Sequence, residues 1–220
     1  MGNLGRWSRI SRIIVYAGVS HDIMEEFKYS WSSAYKNYMK RDLLLDIIPF
    51  RINGDRLYYR IMDLNDTYIV VKLRNANHVR DNYIYQKPIT IEEHINYYHT
   101  QIETGNIVQY IMLTRKTNKI IGCVFLKNID LEAKWAEYGV FIGDSKELGK
   151  GYGKDALNQM IDIAFNKLML KSLTLQVLSY NVIAIKTYID AGFVEKERRI
   201  DRNVESGIER EVIMEFVNGR

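Results

Sequence analysis

The chain has 220 residues, 47% of them hydrophobic and 26% charged, which suits one globular domain, or one domain with an extension, around a sizeable core. Its 31 basic and 27 acidic residues leave a formal charge of +4, spread along the chain without the dense basic stripe of a nucleic-acid binder. A single cysteine, Cys123, excludes an internal disulfide and favours a reducing compartment. The longest apolar runs, such as Ile13 to Val15 and Leu43 to Leu45, fall far short of the about 20 residues a membrane span needs. The start of the chain lacks the plan of a signal peptide, and Arg6 stands where a myristoylation signal wants serine or threonine. A cytoplasmic protein with no membrane or nucleic-acid partner is expected.

Residues 1–46 read differently from the rest and form an N-terminal extension, with the main domain over residues 47–220. Within the extension, Arg12 to Tyr16 predicts a strand. Ile23 to Tyr38 predicts a helix rich in aromatic residues (Phe27, Tyr29, Trp31, Tyr35, Tyr38). Beyond it, Arg56 to Ile61 predicts a strand, and Leu64 to Asn75 and Thr90 to Thr104 predict helices. Thr90 can cap the second of these, and Glu93 completes a capping box. Gln109 to Leu113 and Ile120 to Leu126 predict a hairpin around Thr117-Asn118-Lys119, followed by a strand from Trp135 to Ile142. After a glycine cluster, a helix from Lys154 to Leu170 is marked by Leu157, Met160, Ile161, Ala164 and Leu168 at helical spacing. Leu173, Leu175 and Val177 alternate as in a strand, and Asn181 to Ala191 predicts a helix stopped by Gly192. Strands over Phe193 to Arg198 and Ile208 to Phe216 flank a turn at Ser206-Gly207. This order predicts an α/β protein with a mixed sheet and helices on both faces.

The stretch Leu148-Gly149-Lys150-Gly151-Tyr152-Gly153-Lys154 lies between a strand and an amphipathic helix. Helix starts carry unpaired amides and partial positive charge, and glycines let that backbone approach a phosphate closely. The spacing is neither that of the dinucleotide fingerprint nor that of the Walker loop. A pyrophosphate site is one reading, and a loop that merely turns tightly is the other. The stretch resembles the acetyl-CoA pyrophosphate loop of the GNAT N-acetyltransferases, with Gly151 and Gly153 at its two small positions. Leu148 departs from the polar residue expected at its head. Downstream, Asn181, Ala184, Tyr188 and Gly192-Phe193 are similar to that family's Asn-x-x-Ala-x-x-x-Tyr-x-x-x-Gly-Phe segment. The branch suggested is that of the ribosomal-protein-alanine and amino-sugar-nucleotide enzymes.

The resemblance implies a mostly antiparallel central sheet flanked by helices, the GNAT acyl-CoA N-acyltransferase fold. It implies acetyl-CoA as acetyl donor. His94 and His99 stand five apart with no acidic partner in metal spacing, so no metal site is expected. The amides of Gly149, Lys150, Gly151, Tyr152, Gly153 and Lys154 would hold the pyrophosphate. Backbone groups of Val140, Phe141 and Ile142 would pair with the pantetheine, and Asn181 and Ala184 would line the coenzyme. Tyr188 is the candidate acid for the leaving thiolate, or else a helix residue packed on the sheet. Glu137 could accept the amine proton directly or through water, or be only a strand carboxylate. His78 is a second, less favoured base.

For the acceptor, the run from Arg74 and Asn75 through His78 and Arg80 to Tyr83 and Tyr85 resembles acetyltransferases acting on amino-sugar nucleotides, which gives a nucleotide-linked amino sugar as the first expectation. The runner-up is a protein N-terminal acetyltransferase of the ribosomal-protein-alanine kind, which shares the same core. A polyamine acetyltransferase is the third option, and it would want a carboxylate-rich pocket where the sequence shows no dense acidic cluster. A regulatory acyl-CoA-binding protein without catalysis is the alternative of another class, against which an intact Tyr188 counts. By the same analogy a homodimer is expected.

Overall fold

The computed structural model describes residues 33–200 and 209–219, and residues 37–220 fall in one compact unit. The strand expected over Arg12 to Tyr16, most of the aromatic helix and the turn at Ser206-Gly207 lie outside the described residues. Helix α1 (Ser33–Ile47) runs across the boundary expected at residue 47. Its Leu44 and the following Ile48 are buried in the main core, so the folded unit begins before that boundary.

Strands β1 (Arg51–Asn53) and β2 (Leu57–Ile61) follow. A short 3-10 turn at Leu64–Asp66 leads into α2 (Thr67–Arg74), and a single turn, α3 (Asn77–Arg80), comes next. Helix α4 (Ile91–Tyr97) opens with the expected capping box: Thr90 Oγ1 accepts from the Glu93 amide, and Glu93 accepts from the Thr90 amide. The long hairpin comprises β3 (Ile107–Thr114) and β4 (Ile120–Asp130), and β5 (Trp135–Ile142) has the predicted bounds. Helix α5 (Tyr152–Asp162), β6 (Ser172–Leu178), α6 (Val182–Asp190), β7 (Val194–Ile200) and β8 (Glu209–Val217) complete the order. The sequence reading missed β1 and α3, each too short to show a period.

The eight strands form one sheet in the order β1-β2-β3-β4-β5-β6-β8-β7. Every neighbouring pair is antiparallel except β5 and β6, which run parallel. Strand alternation splits β5 between two cores. Ala136 and Tyr138 join a cluster with Leu157, Met160 and Ile163 from the α5 segment, while Phe141 joins Val70, Leu73 and Tyr98 on the α2–α4 side. Leu157 is fully buried, which stabilises the fold by roughly 2 kcal/mol of apolar transfer and ties α5 to the sheet.

Parallel pairing of β5 with β6 covers only the rungs Trp135–Ser172, Ala136–Leu173 and Glu137–Thr174. Beyond Glu137 the two strands part although both continue, which leaves a notch along β5 from Tyr138 to Ile142. The candidate site residues are grouped around this notch.

Candidate active site

The glycine turn sits just past the end of β5 and leads into α5. Gly149 and Gly151 have φ of +71° and +80°, a region that favours glycine. A Cβ on Gly149 or on Gly153 would meet nothing within 4 Å, so the turn faces open space. Among the described residues, the amides of Gly149, Lys150, Gly151, Tyr152 and Gly153 have no backbone acceptor. The Lys154 amide differs from expectation, since it already donates to the Gly151 carbonyl at 3.1 Å. The helix end is thus an unplugged run of donors with the positive pole of α5 behind it. Lys150 Nζ lies 2.7 Å from Glu147, so its charge is partly balanced nearby.

Along β5, the Gly143 amide donates to the Ile121 carbonyl of the β4 side at 2.8 Å. Alternation then turns the peptide groups of Val140 and Ile142 away from β4, toward the notch. The Ile142 carbonyl accepts from His78 Nε2 at 2.9 Å, which fixes the proton on that nitrogen. Of the expected trio, Val140 therefore keeps both peptide groups for a ligand, Phe141 faces the other neighbour, and Ile142 has spent its carbonyl. His78 is a strut for this edge.

Tyr188 comes from α6, whose Asn181 cap accepts from the Ala184 amide at 3.3 Å. Gly192, at φ +102°, ends the segment, and the Phe193 amide returns to the Tyr188 carbonyl at 3.0 Å. The Tyr188 ring meets Tyr138 edge to face with centroids 6.0 Å apart. Burial pushes the Tyr188 phenol up to about 12, so it keeps its proton at neutral pH. Tyr138, which residue type and spacing did not single out, is buried, and its hydroxyl has no hydrogen-bond partner among the described residues. Its parity with Val140 on β5 was the available signal.

Glu137 occupies the last rung before the notch and is buried. Lys127 Nζ lies 2.8 Å from Oε1, and the Asn128 amide donates to Oε2 at 3.2 Å. It is thus a paired internal carboxylate, and an exposed one is ruled out.

The residues expected to read the acceptor are largely occupied in building their own loop. Arg74 is buried, donates to the Tyr85 carbonyl at 2.6 Å and lies 3.7 Å over the Tyr83 ring. The Asn75 amide group donates to the Ile89 carbonyl at 2.7 Å and accepts from the Ile89 amide at 2.8 Å. Arg80 donates to Asn77, and Tyr83 packs against Phe141 with ring centroids 6.2 Å apart. Tyr85 is exposed. The loop is also tied across the notch: the Tyr180 hydroxyl, just before α6, donates to the Asp81 carbonyl at 2.5 Å and accepts from Gln86 at 2.9 Å.

Known proteins similar to this chain share one family. The description "Acetyltransferase (GNAT) domain" matches residues 56–194. Spermidine N(1)-acetyltransferase of Vibrio cholerae serotype O1 is 24% identical over 168 residues, 76% of this chain and 88% of the relative. The crystal structure of the Vibrio cholerae spermidine N-acetyltransferase in complex with CoA and spermine superposes with a TM-score of 0.66 at 22% identity, over 74% of this chain and 96% of that one. A dodecameric structure of the Vibrio cholerae enzyme gives a TM-score of 0.62 at 22% identity, over 74% of this chain and 95% of that one. With the Acetyltransferase (GNAT) domain matched over residues 56–194, more than half of the chain, the chain belongs to the GNAT acetyltransferase family and is an acetyl-CoA-dependent N-acetyltransferase.

Proposed function

We propose that this enzyme transfers acetyl from acetyl-CoA to a primary amine of a polyamine. The observation that carries the reading is the likeness to spermidine N(1)-acetyltransferase over 88% of that enzyme's length. The first expectation, a nucleotide-linked amino sugar, loses support from two sides. None of the relatives named above is such an enzyme, and Asn75 spends its side-chain amide on Ile89, while Arg74 and Arg80 commit part of each guanidinium to Tyr85 and Asn77.

In this reading the free amides from Gly149 to Gly153 hold the diphosphate, and the peptide groups of Val140 pair with the pantetheine in the notch. The amine nitrogen attacks the thioester carbonyl carbon, the carbon–sulfur bond breaks, and the proton lost by nitrogen is balanced by one gained at sulfur. Tyr188 supplies the hydrogen bond to that sulfur. With its pKa near 12 and a simple thiol near 8.5, free transfer of its proton would run uphill by roughly 5 kcal/mol. The phenol therefore acts as a hydrogen-bond donor that stabilises the charge growing on sulfur and keeps its own proton, and the released thiolate takes its proton from water. Glu137 receives the amine proton through water, its carboxylate oriented by Lys127 and Asn128. Asn181 and Ala184 flank the coenzyme arm at the start of α6.

A thiol-release assay tests the acceptor. Spermidine and spermine should be turned over, with an amino-sugar nucleotide and N-terminal peptides as comparators. Turnover of a comparator without turnover of either polyamine would reassign the acceptor.

A further inference from the structure

The geometry points to Arg56 as the residue that shapes the diphosphate turn and balances its charge. This rests on the reading of residues 149–153 given above. Arg56 stands just before β2, 99 positions from Asp155 in sequence, and neither motif of the family resemblance contains it. Its Nε donates to Asp155 Oδ2 at 2.8 Å and its Nη2 to Oδ1 at 2.7 Å. The same guanidinium reaches the turn itself: Nη1 donates to the Lys150 carbonyl at 2.6 Å, and Nη2 to the Gly151 carbonyl at 3.3 Å.

These contacts have a geometric result. In a planar trans peptide the carbonyl and the following amide point in opposite directions. Drawing the Lys150 carbonyl back onto Arg56 therefore aims the Gly151 amide outward, into the open side of the turn. The Gly151 carbonyl is shared between Arg56 and the Lys154 and Asp155 amides, which turns the Tyr152 amide the same way. Glycine at position 151 is part of the same arrangement, because a Cβ there would lie 2.9 Å from Nη2.

The second result is electrostatic. Asp155 is in the first turn of α5, where a carboxylate suits the helix pole but opposes an incoming diphosphate. The paired guanidinium cancels that charge without occupying the anion's place. The Arg56 side chain is 49% exposed and that of Asp155 30%, so the pair adds little to global stability and its removal leaves the fold intact. Its effect falls on the turn.

The test compares two donors in steady-state assays, acetyl-CoA and acetyl-pantetheine, which lacks the diphosphate. Arg56→Gln should raise KM for acetyl-CoA about tenfold with kcat nearly unchanged, the scale expected for losing charge-assisted hydrogen bonds. Its kcat/KM with acetyl-pantetheine should match the wild type. Arg56→Lys should recover part of the loss, since it keeps the charge and loses the fork. Asp155→Asn added to Arg56→Gln should also recover part, by removing the unbalanced carboxylate. An unchanged acetyl-CoA KM in Arg56→Gln, or an equal loss with both donors, overturns the assignment. Gly153→Asp serves as the separate control, because it fills the open side of the turn without touching Arg56. If Gly153→Asp leaves acetyl-CoA KM unaltered, the diphosphate lies elsewhere and the reading of the turn fails, whatever Arg56 does.

Discussion

Tyr188 of α6 and Tyr138 of β5 stand edge to face across the notch, ring centroids 6.0 Å apart. The pair joins α6 to β5, and in the proposed mechanism it would fix the phenol relative to the thioester. Removing only the hydroxyl, as in Tyr188→Phe, should lower kcat on the order of 100-fold while leaving acetyl-CoA affinity within about twofold, the range for loss of one positioned donor. Single-turnover kinetics with calorimetry of CoA binding checks this. A wild-type rate in the variant would remove Tyr188 from the chemistry.

The partner ring predicts the opposite sign for stability. The Tyr138 hydroxyl is buried without a hydrogen-bond partner among the described residues, an arrangement that costs free energy in the ligand-free protein. Tyr138→Phe should therefore stabilise the ligand-free enzyme by about 1 kcal/mol in urea unfolding. A destabilised variant would show that the hydroxyl is satisfied in solution.

At the glycine turn, two alanine substitutions should differ. Gly149→Ala meets only the cost of a positive φ, since its Cβ would enter open space. Gly151→Ala adds a clash with the Arg56 guanidinium to the same backbone cost. Calorimetry should find CoA affinity weakened more by Gly151→Ala than by Gly149→Ala. The reverse order would contradict the view that the turn is shaped from the Arg56 side.

His94 sets an acid limit on stability. It is buried, its Nδ1 lies 3.2 Å from Thr67 Oγ1, and burial lowers its pKa from 6.5 to about 4. The unfolded chain therefore binds a proton that the folded chain refuses between those values. The His94 contribution is fully present above pH 6.5 and is lost as pH falls toward 4, an amount of about 3 kcal/mol. Urea unfolding of wild type and His94→Gln at pH 7 and pH 4.5 should show a smaller pH dependence in the variant. Equal dependence in both would mean that His94 titrates normally.

Much of the frame was legible in sequence because its signals were local. The capping box at Thr90 and Glu93, the strand from Trp135 to Ile142 and the stop at Gly192 each follow from a few adjacent residues, and each stands where expected. The long helices after Leu64, Thr90 and Lys154 also formed, but with 3-10 or π turns at an end that periodicity does not reveal. The site was less legible because its contacts are distant in sequence. Nothing near Arg56 announces Asp155, and nothing near His78 announces Ile142, 64 positions on. Arg74, Asn75 and Arg80 look like ligand readers when seen as residue types. Their hydrogen-bond partners, Tyr85, Ile89 and Asn77, lie in the same loop, which residue type alone does not reveal.

The seam between β5 and β6 has only three rungs, so the sheet is two plates sharing a short weld. With pantetheine bound as proposed, the donor would supply ladder where the polypeptide supplies none, and a ligand that binds only the native state raises its stability with concentration. The protein's resistance to heat and to proteases then tracks the supply of its acyl donor. An enzyme starved of coenzyme would be idle and also shorter-lived.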